Sequence, residues 1–257
     1  MTFDEGFAVA LQGANLRTDF VPGRVVVVCG SLAPGGAERQ AANTLVGLHR
    51  FGLHDLSFLA HHLQEGPGRL DFHLPKVRAA GIQTYEIRRV LKSVRDPAMP
   101  KSLRDAAKAL PANLVLDISN LVREFECLKP QVVHAWLDWD NIRAGLAAAI
   151  AGVPRIVISG RNLAPYNFKL YQPYMDAAYR ALARLPQVHF VNNSQAGADN
   201  YAEWIGISRE RIQVIYNGLD PGDRQRLSDT ERAQARAKLG IAPDSLVVGG
   251  VFRFDEE

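Results

Sequence analysis

The sequence predicts an α/β protein built on a doubly wound parallel sheet that is Rossmann-like. Predicted strands and helices alternate along the chain, which is typical of a parallel sheet with helices on both faces. Residues 25–28 are four consecutive valines, and an unbroken β-branched run indicates a strand that is buried on both faces. The chain has 257 residues, of which 47% are hydrophobic, and this is enough to form a sizeable core.

The helices are predicted from apolar residues that recur on one side. In the clearest case, residues 114–128, apolar side chains follow one another at helical spacing, and the helix is expected to stop before Pro130. Ser194 is suited to begin a helix and Gly206 to end it. Helices are predicted at 35–51, 74–80, 114–128, 141–151, 171–185, 194–205 and 230–239, and strands at 25–28, 53–60, 82–85, 131–136, 155–159, 188–192, 211–215 and 246–252.

Composition and charge argue against several classes of protein. The net charge is only +3, so we expect no nucleic-acid partner. Asp4 and Glu5 stand where a signal peptide would carry positive charge, and no apolar run approaches the roughly 18–20 residues of a membrane span. Cys29 and Cys127 form neither a CxxC pair nor a metal-ligand cluster, which favours a reducing, cytoplasmic setting.

The segment 76–108 is strongly basic and carries a net charge of +6. It contains nine basic residues against three acidic ones. Such a run is most often a solvated face, but it is also suited to meet an anionic membrane or an anionic acceptor, since each basic residue near such a surface contributes about 1 kcal/mol.

A glycine-rich segment, residues 30–39, follows the first strand and opens the first long helix. Backbone N–H groups at such a turn can approach a phosphate, and the helix dipole favours its negative charge. Two phosphate-binding motifs do not fit: Gly36 and Ala37 stand where a P-loop needs lysine and a hydroxyl residue, and the glycine spacing is wrong for a dinucleotide site. Phosphate binding of another kind remains open, as does a purely conformational role.

Other polar residues follow later strands, at the edge where parallel sheets bind ligands. His134 lies near the end of the strand at 131–136, and Asp138 and Asp140 form a DxD sequence after it. No other ligand cluster supports a metal there, and His61 and His62 would point opposite ways on a strand. Arg161 is placed to bind a phosphate or carboxylate, although it is equally suited to a surface loop.

Six short motifs appear in an order that resembles glycosyltransferase family 4, which has the GT-B fold. They are GGAER at 35–39, PQVVH at 130–134, AGVP at 151–154, NS at 193–194, IYNGLD at 215–220 and VGGVFR at 248–253. Each motif alone is weak, but six in the expected order are strong support for the resemblance, which covers residues 24–257.

The resemblance implies two Rossmann-like domains with an active site between them, the first for the acceptor and the second for a nucleotide-sugar. It implies transfer with retention of the anomeric configuration and no metal or other cofactor. Gly35, Gly36 and Arg253 would then contact the donor diphosphate, and His134 would lie beside the transferred sugar. The cleft or acceptor residues would be Trp136, Asp138, Arg161, Asn162 and Asn217.

Two departures qualify this resemblance. Trp136 stands where members often have a second histidine, and the sequence stops at Glu257 before the family's lysine and its paired glutamates. We expect 1–23 to be an extension or a loosely attached helix, 24–220 the Rossmann-like acceptor domain, 221–240 a connector helix and 241–257 the truncated start of the second domain.

The resemblance predicts transfer of a sugar from a nucleotide-sugar to a lipid-linked or polysaccharide acceptor, with little activity for this chain alone. The alternatives are a non-catalytic module that docks on a membrane or partner, and a sugar-nucleotide epimerase of the same fold.

Overall fold

A seven-stranded parallel sheet organises the chain, as the sequence predicts. The structure is a computed structural model that describes residues 1–63, 69–220 and 226–250, and the strand order within it is β3-β2-β1-β4-β5-β6-β7. The strands are β1 (Val21–Cys29), β2 (Leu56–Ala60), β3 (Gln83–Glu86), β4 (Pro130–Trp136), β5 (Arg155–Gly160), β6 (Val188–Asn192) and β7 (Ile212–Val214). Every neighbouring pair is parallel, which confirms the predicted fold class.

Helices cover both faces of this sheet. They are α1 (Phe3–Ala10), α2 (Gly36–Arg50), α3 (Leu74–Ala79), α4 (Lys101–Ala106), α5 (Ala112–Leu128), α6 (Asp138–Ile150), α7 (Tyr174–Ala183), α8 (Gln195–Ile205) and α9 (Asp229–Lys238). Residues of α2 and α3 join one apolar core, and residues of α5 to α8 join the larger core on the opposite face. The valines of β1 contribute to both cores, which is why they form an unbroken apolar run.

The first 23 residues differ from the expectation of a loose extension. Phe7 and Ala10 of α1 are buried in the larger core, and a Cβ at Gly6 would lie 2.9 Å from the side chain of Leu110. Thr2 and Glu5 form a capping box at the start of this helix. Since the apolar face of α1 is covered by the protein, the helix belongs to the same compact unit as the sheet, Met1–Asn217.

The chain after Asn217 forms a second, smaller compact unit. Its helix α9 begins with a capping box between Ser228 and Glu231 and has no buried residue. The predicted strand at 246–252 is not formed in its described part, residues 246–250. Leu246 and Val248 are more than nine-tenths exposed, because no described strand lies beside them to complete a hydrogen-bonded ladder.

Among the described residues, no helix is long and apolar enough to span a membrane.

Candidate active site at the carboxyl edge of the sheet

A strained residue lies where β4 meets α6. Leu137 has φ 71° and ψ 152°, a conformation that costs non-glycine residues roughly 1–3 kcal/mol and is concentrated at functional sites. Two backbone bonds hold it: its N–H donates to Ser159 O at 3.2 Å, and Asn141 N–H donates to its carbonyl at 2.7 Å. This turn lets α6 begin at Asp138, immediately after the strand.

His134, the predicted catalytic residue, is held as a neutral imidazole. Its Nε2 lies 2.8 Å from the hydroxyl of Ser159 on β5, and its ring centroid is 5.0 Å from that of Trp136. Burial and, secondly, the positive charge of Arg161 lower the pKa of His134 to about 3. At neutral pH the imidazole is therefore uncharged, keeps a single N–H and is suited to hydrogen bonding with a ligand rather than to general acid catalysis.

Arg161 follows β5 and is a cation without a carboxylate partner. Its guanidinium lies 4.4 Å above the ring of Trp136 and donates a hydrogen bond to the side-chain oxygen of Asn217. Burial lowers its pKa to about 10, so it remains charged. Among the ion pairs of the described residues, none involves Arg161. A partly buried guanidinium of this kind is suited to bind an anionic ligand.

Asn162, next in the chain, reaches the site mainly through its backbone. Its carbonyl accepts a bond of 3.2 Å from the side chain of Asn192, whose oxygen accepts from Ser194 N–H. A Cβ at Gly197 would collide with the same Asn192 amide. Asn192 and Gly197 thus fix the loop after β5, and neither was among the predicted site residues.

Asp138 takes a different position from the one expected for a cleft residue. Its carboxylate accepts hydrogen bonds from the hydroxyls of Tyr179, at 2.6 Å, and Tyr201. Burial raises its pKa, although both tyrosine bonds act in the opposite direction. Both hydrogen bonds join Asp138 to helices of the same unit, so its carboxylate stabilises the surroundings of the site.

A buried network connects this support to His134. The amide of Asn141 binds Tyr179 at 3.1 Å and the backbone of Ser159 at 3.0 Å and 3.1 Å. Through Ser159 the network reaches the imidazole of His134. Sequence reasoning missed these residues, for which the only signal was a polar side chain at an otherwise apolar strand or helix position.

The glycine loop presents an open N-terminus of α2. Gly35 is the N-cap residue and makes no side-chain capping bond, and a Cβ there would collide with the carboxylate of Glu38, whereas Gly36 faces open space. A cavity of about 320 Å³ lies beside them, lined by Pro34, Gly35, Gly36, Arg39, Phe72 and His73. This cavity can hold a phosphate against the helix N-terminus and Arg39 if the Glu38 side chain turns away.

A second polar pair lies near this loop. His61 Nε2 is 3.1 Å from Asp140 Oδ1, but the angles are not those of a hydrogen bond. Both atoms are therefore buried without a hydrogen-bond partner among the described residues, and so is Trp136 Nε1. His62 points elsewhere, to Arg89. No group of three or more His, Cys, Asp or Glu side chains that could hold a metal occurs in the described part of the chain.

Arg253 lies outside the described residues. The structure therefore brings together His134, Trp136, Arg161 and Asn217, places Gly35 and Gly36 at a separate loop of the same edge, and turns Asp138 inward. The functional roles of these residues remain predictions.

Comparison with known proteins identifies the family. The model of the family described as "Glycosyltransferase Family 4" matches residues 34–223. The chain is 30% identical over 246 residues to the Vi polysaccharide biosynthesis protein VipC/TviE of Salmonella typhi, covering 90% of this chain and 43% of that protein. The chain thus spans less than half the length of this curated relative.

Two solved structures share the fold. The lipopolysaccharide outer core galactosyltransferase WaaB in its apo form has a TM-score of 0.51 at 13% identity, over 77% of this chain and 46% of its own. A glycosyltransferase from Rickettsia africae has a TM-score of 0.53 at 13% identity, over 89% and 51%. Because the family match covers most of the sequence, the chain belongs to Glycosyltransferase Family 4.

Proposed function

We propose that this chain is the acceptor-side part of a retaining glycosyltransferase that moves a sugar from a nucleotide-sugar to a lipid-linked or polysaccharide acceptor. The observation that carries the proposal is that neutral His134 and Arg161, which has no carboxylate partner among the described residues, both lie against the ring of Trp136 at the carboxyl edge of a family 4 fold. The similarity to a polysaccharide biosynthesis protein supports the acceptor class.

The proposed roles follow from charge and position. The loop at Gly35 and Gly36 receives a donor phosphate against the N-terminus of α2, and Arg253 neutralises the diphosphate that leaves. His134 binds a hydroxyl of the transferred sugar, while Arg161 and Asn217 bind the acceptor. We propose that binding of the donor and departure of its diphosphate need no metal, since backbone N–H groups and arginines supply the positive potential.

The test uses this chain extended by the part of the curated relative that it does not match. It would be incubated with labelled nucleotide-sugars and a membrane-lipid or polysaccharide acceptor. Arg161→Gln and His134→Gln should each lower transfer by about 10²-fold. Arg155→Gln is the matched control, since Arg155 is exposed at the opposite end of the same strand, and it should leave transfer unchanged.

Product analysis separates this function from the alternatives. An axial or equatorial linkage that matches the donor supports retention, whereas inversion would contradict it. Formation of an epimeric nucleotide-sugar without any acceptor would replace the proposal with an epimerase. Because this chain covers 43% of its relative, we expect purified 1–257 alone to show no detectable transfer, and measurable transfer would refute that part.

We further propose that the enzyme works at the cytoplasmic face of a membrane and contacts it through part of the segment 76–108. Arg89, Lys92 and Arg95 are exposed, while Lys101 and Lys108 both pair with Asp105, so the charge that can meet a membrane lies in the first group. Lys92→Glu with Arg95→Glu should abolish co-sedimentation with phosphatidylglycerol vesicles. Equal binding to neutral phosphatidylcholine vesicles would contradict the proposal.

A further inference from the structure

The connection between β5 and α7 exposes a group of large apolar side chains. We call Leu163, Tyr166, Phe168 and Leu170 the apolar platform. Their exposed fractions are 41%, 47%, 36% and 70%. Single exposed apolar residues are ordinary, but a cluster within eight residues of one loop is a feature of binding surfaces.

The platform is built on the protein rather than loosely attached to it. Asn200 of α8 accepts a bond from Ala164 N–H at 2.8 Å and donates one to the hydroxyl of Tyr166 at 2.6 Å. The ring of Tyr166 also packs on Trp204, with centroids 6.2 Å apart. Helix α8 thus holds the backbone and the tyrosine of this loop, which reduces the backbone entropy that the loop loses on binding.

The same loop begins at the uncompensated cation of the candidate site. Arg161 is only two residues before Leu163, and two residues span at most about 7 Å. The guanidinium is fixed between the ring of Trp136 and the side chain of Asn217. A fixed, planar cation at the start of a loop that exposes apolar side chains suits an amphiphilic anion, with its charged group on the arginine and its hydrocarbon on the platform.

We propose that Arg161 and the apolar platform together bind a lipid phosphate, so that the acceptor is carried on a phosphorylated hydrocarbon chain. This inference rests on the proposed function, in which this site receives the acceptor, and it selects the lipid-linked class over the free polysaccharide. The phosphate lies on the guanidinium, where no described carboxylate competes for it, and the chain covers Leu163 and Leu170.

The test measures binding of three small probes to the 257-residue chain by calorimetry. The probes are octyl phosphate below its micelle concentration, inorganic phosphate and 1-octanol. Octyl phosphate should bind about tenfold or more tightly than inorganic phosphate, because burial of even a few methylenes gives that factor. Arg161→Gln should weaken both phosphates. Leu163→Ser with Leu170→Ser should reduce octyl phosphate to the affinity of inorganic phosphate and leave the latter unchanged.

Phe51→Ser is the matched control, since Phe51 is 87% exposed at the far end of α2. Equal affinity for the two phosphates, or full octyl phosphate binding by the leucine variant, would overturn the inference. If Leu163→Ser with Leu170→Ser loses binding to vesicles but keeps binding to octyl phosphate, the platform is a membrane contact, and the inference is wrong. If the chain extended by the unmatched part of the curated relative no longer binds octyl phosphate, the added part covers the platform, and the inference is also wrong.

These outcomes are separate from the fate of the proposed function. Sugar transfer without octyl phosphate binding would contradict only the lipid-phosphate inference. Octyl phosphate binding without sugar transfer would contradict only the proposed transferase function.

Discussion

Replacement of His134 by glutamine should reduce the acid sensitivity of the unit Met1–Asn217. The pKa of His134 falls from 6.5 to about 3 on folding, so the unfolded chain binds a proton between these values and the folded protein does not. Stability from this residue is complete above pH 6.5 and is lost as the pH falls toward 3. Between about pH 7.5 and about pH 5 the loss is about 2 kcal/mol.

The assay is urea denaturation of both proteins at the two pH values, followed by circular dichroism. The free energy of unfolding of the wild type should decrease by about 2 kcal/mol more than that of His134→Gln. Asp138, whose pKa is raised, contributes the opposite pH dependence, but it is present in both proteins and cancels. The control His189→Gln, which replaces an exposed histidine on β6, two strands from β4, should behave as the wild type. Identical acid sensitivity of the wild type and His134→Gln would refute the argument.

Three further predictions concern stability and use the same denaturation assay. Asp138→Ala leaves two buried tyrosine hydroxyls without an acceptor and should cost about 2–4 kcal/mol; a loss below 1 kcal/mol would mean that the network contributes little. Phe7→Ala removes a fully buried ring and should lower the free energy of unfolding by about 3–5 kcal/mol. A loss below about 0.5 kcal/mol, as for an exposed residue, would mean that α1 is loosely attached. Gly197→Ala drives a methyl group into the Asn192 amide and should lower the free energy of unfolding by about 1–3 kcal/mol. The control is Gly36→Ala, where the added methyl group faces open space and should change stability by no more than about 0.5 kcal/mol. Equal effects of the two substitutions would contradict the steric argument.

The sheet could be predicted because its signals are local. Four valines in a row identify β1 without knowledge of any partner, and Ser194 and Gly206 mark both ends of α8 as predicted. Capping depends on atoms within one helical turn, so the sequence contains all the required information. The loose attachment predicted for the first 23 residues is wrong, because the short apolar face of α1 is meaningful only when the surface that covers it is known.

The site was predicted less completely because its contacts are distant in sequence. The two tyrosines that bind Asp138 are 41 and 63 residues away, so an acidic DxD sequence gave no sign of internal use. Leu137 carries no glycine signal, although it adopts a backbone conformation that glycine prefers. By contrast, Arg161 and Trp136 were predicted correctly to lie at the carboxyl edge, because every parallel strand ends there.

The position of β1 at the centre of the sheet has a consequence for synthesis of the chain. One side of β1 pairs with β2, which follows soon after, but the other side pairs with β4, which begins only at Pro130. On a ribosome that adds about 5–20 residues each second, the valine edge stays unpaired for roughly 5–20 seconds. During this time the emerging half-sheet exposes an apolar strand edge that can join another chain. Slow stretches of translation between residues 30 and 130 should therefore increase aggregation of the nascent protein, and chaperone capture should be greatest there.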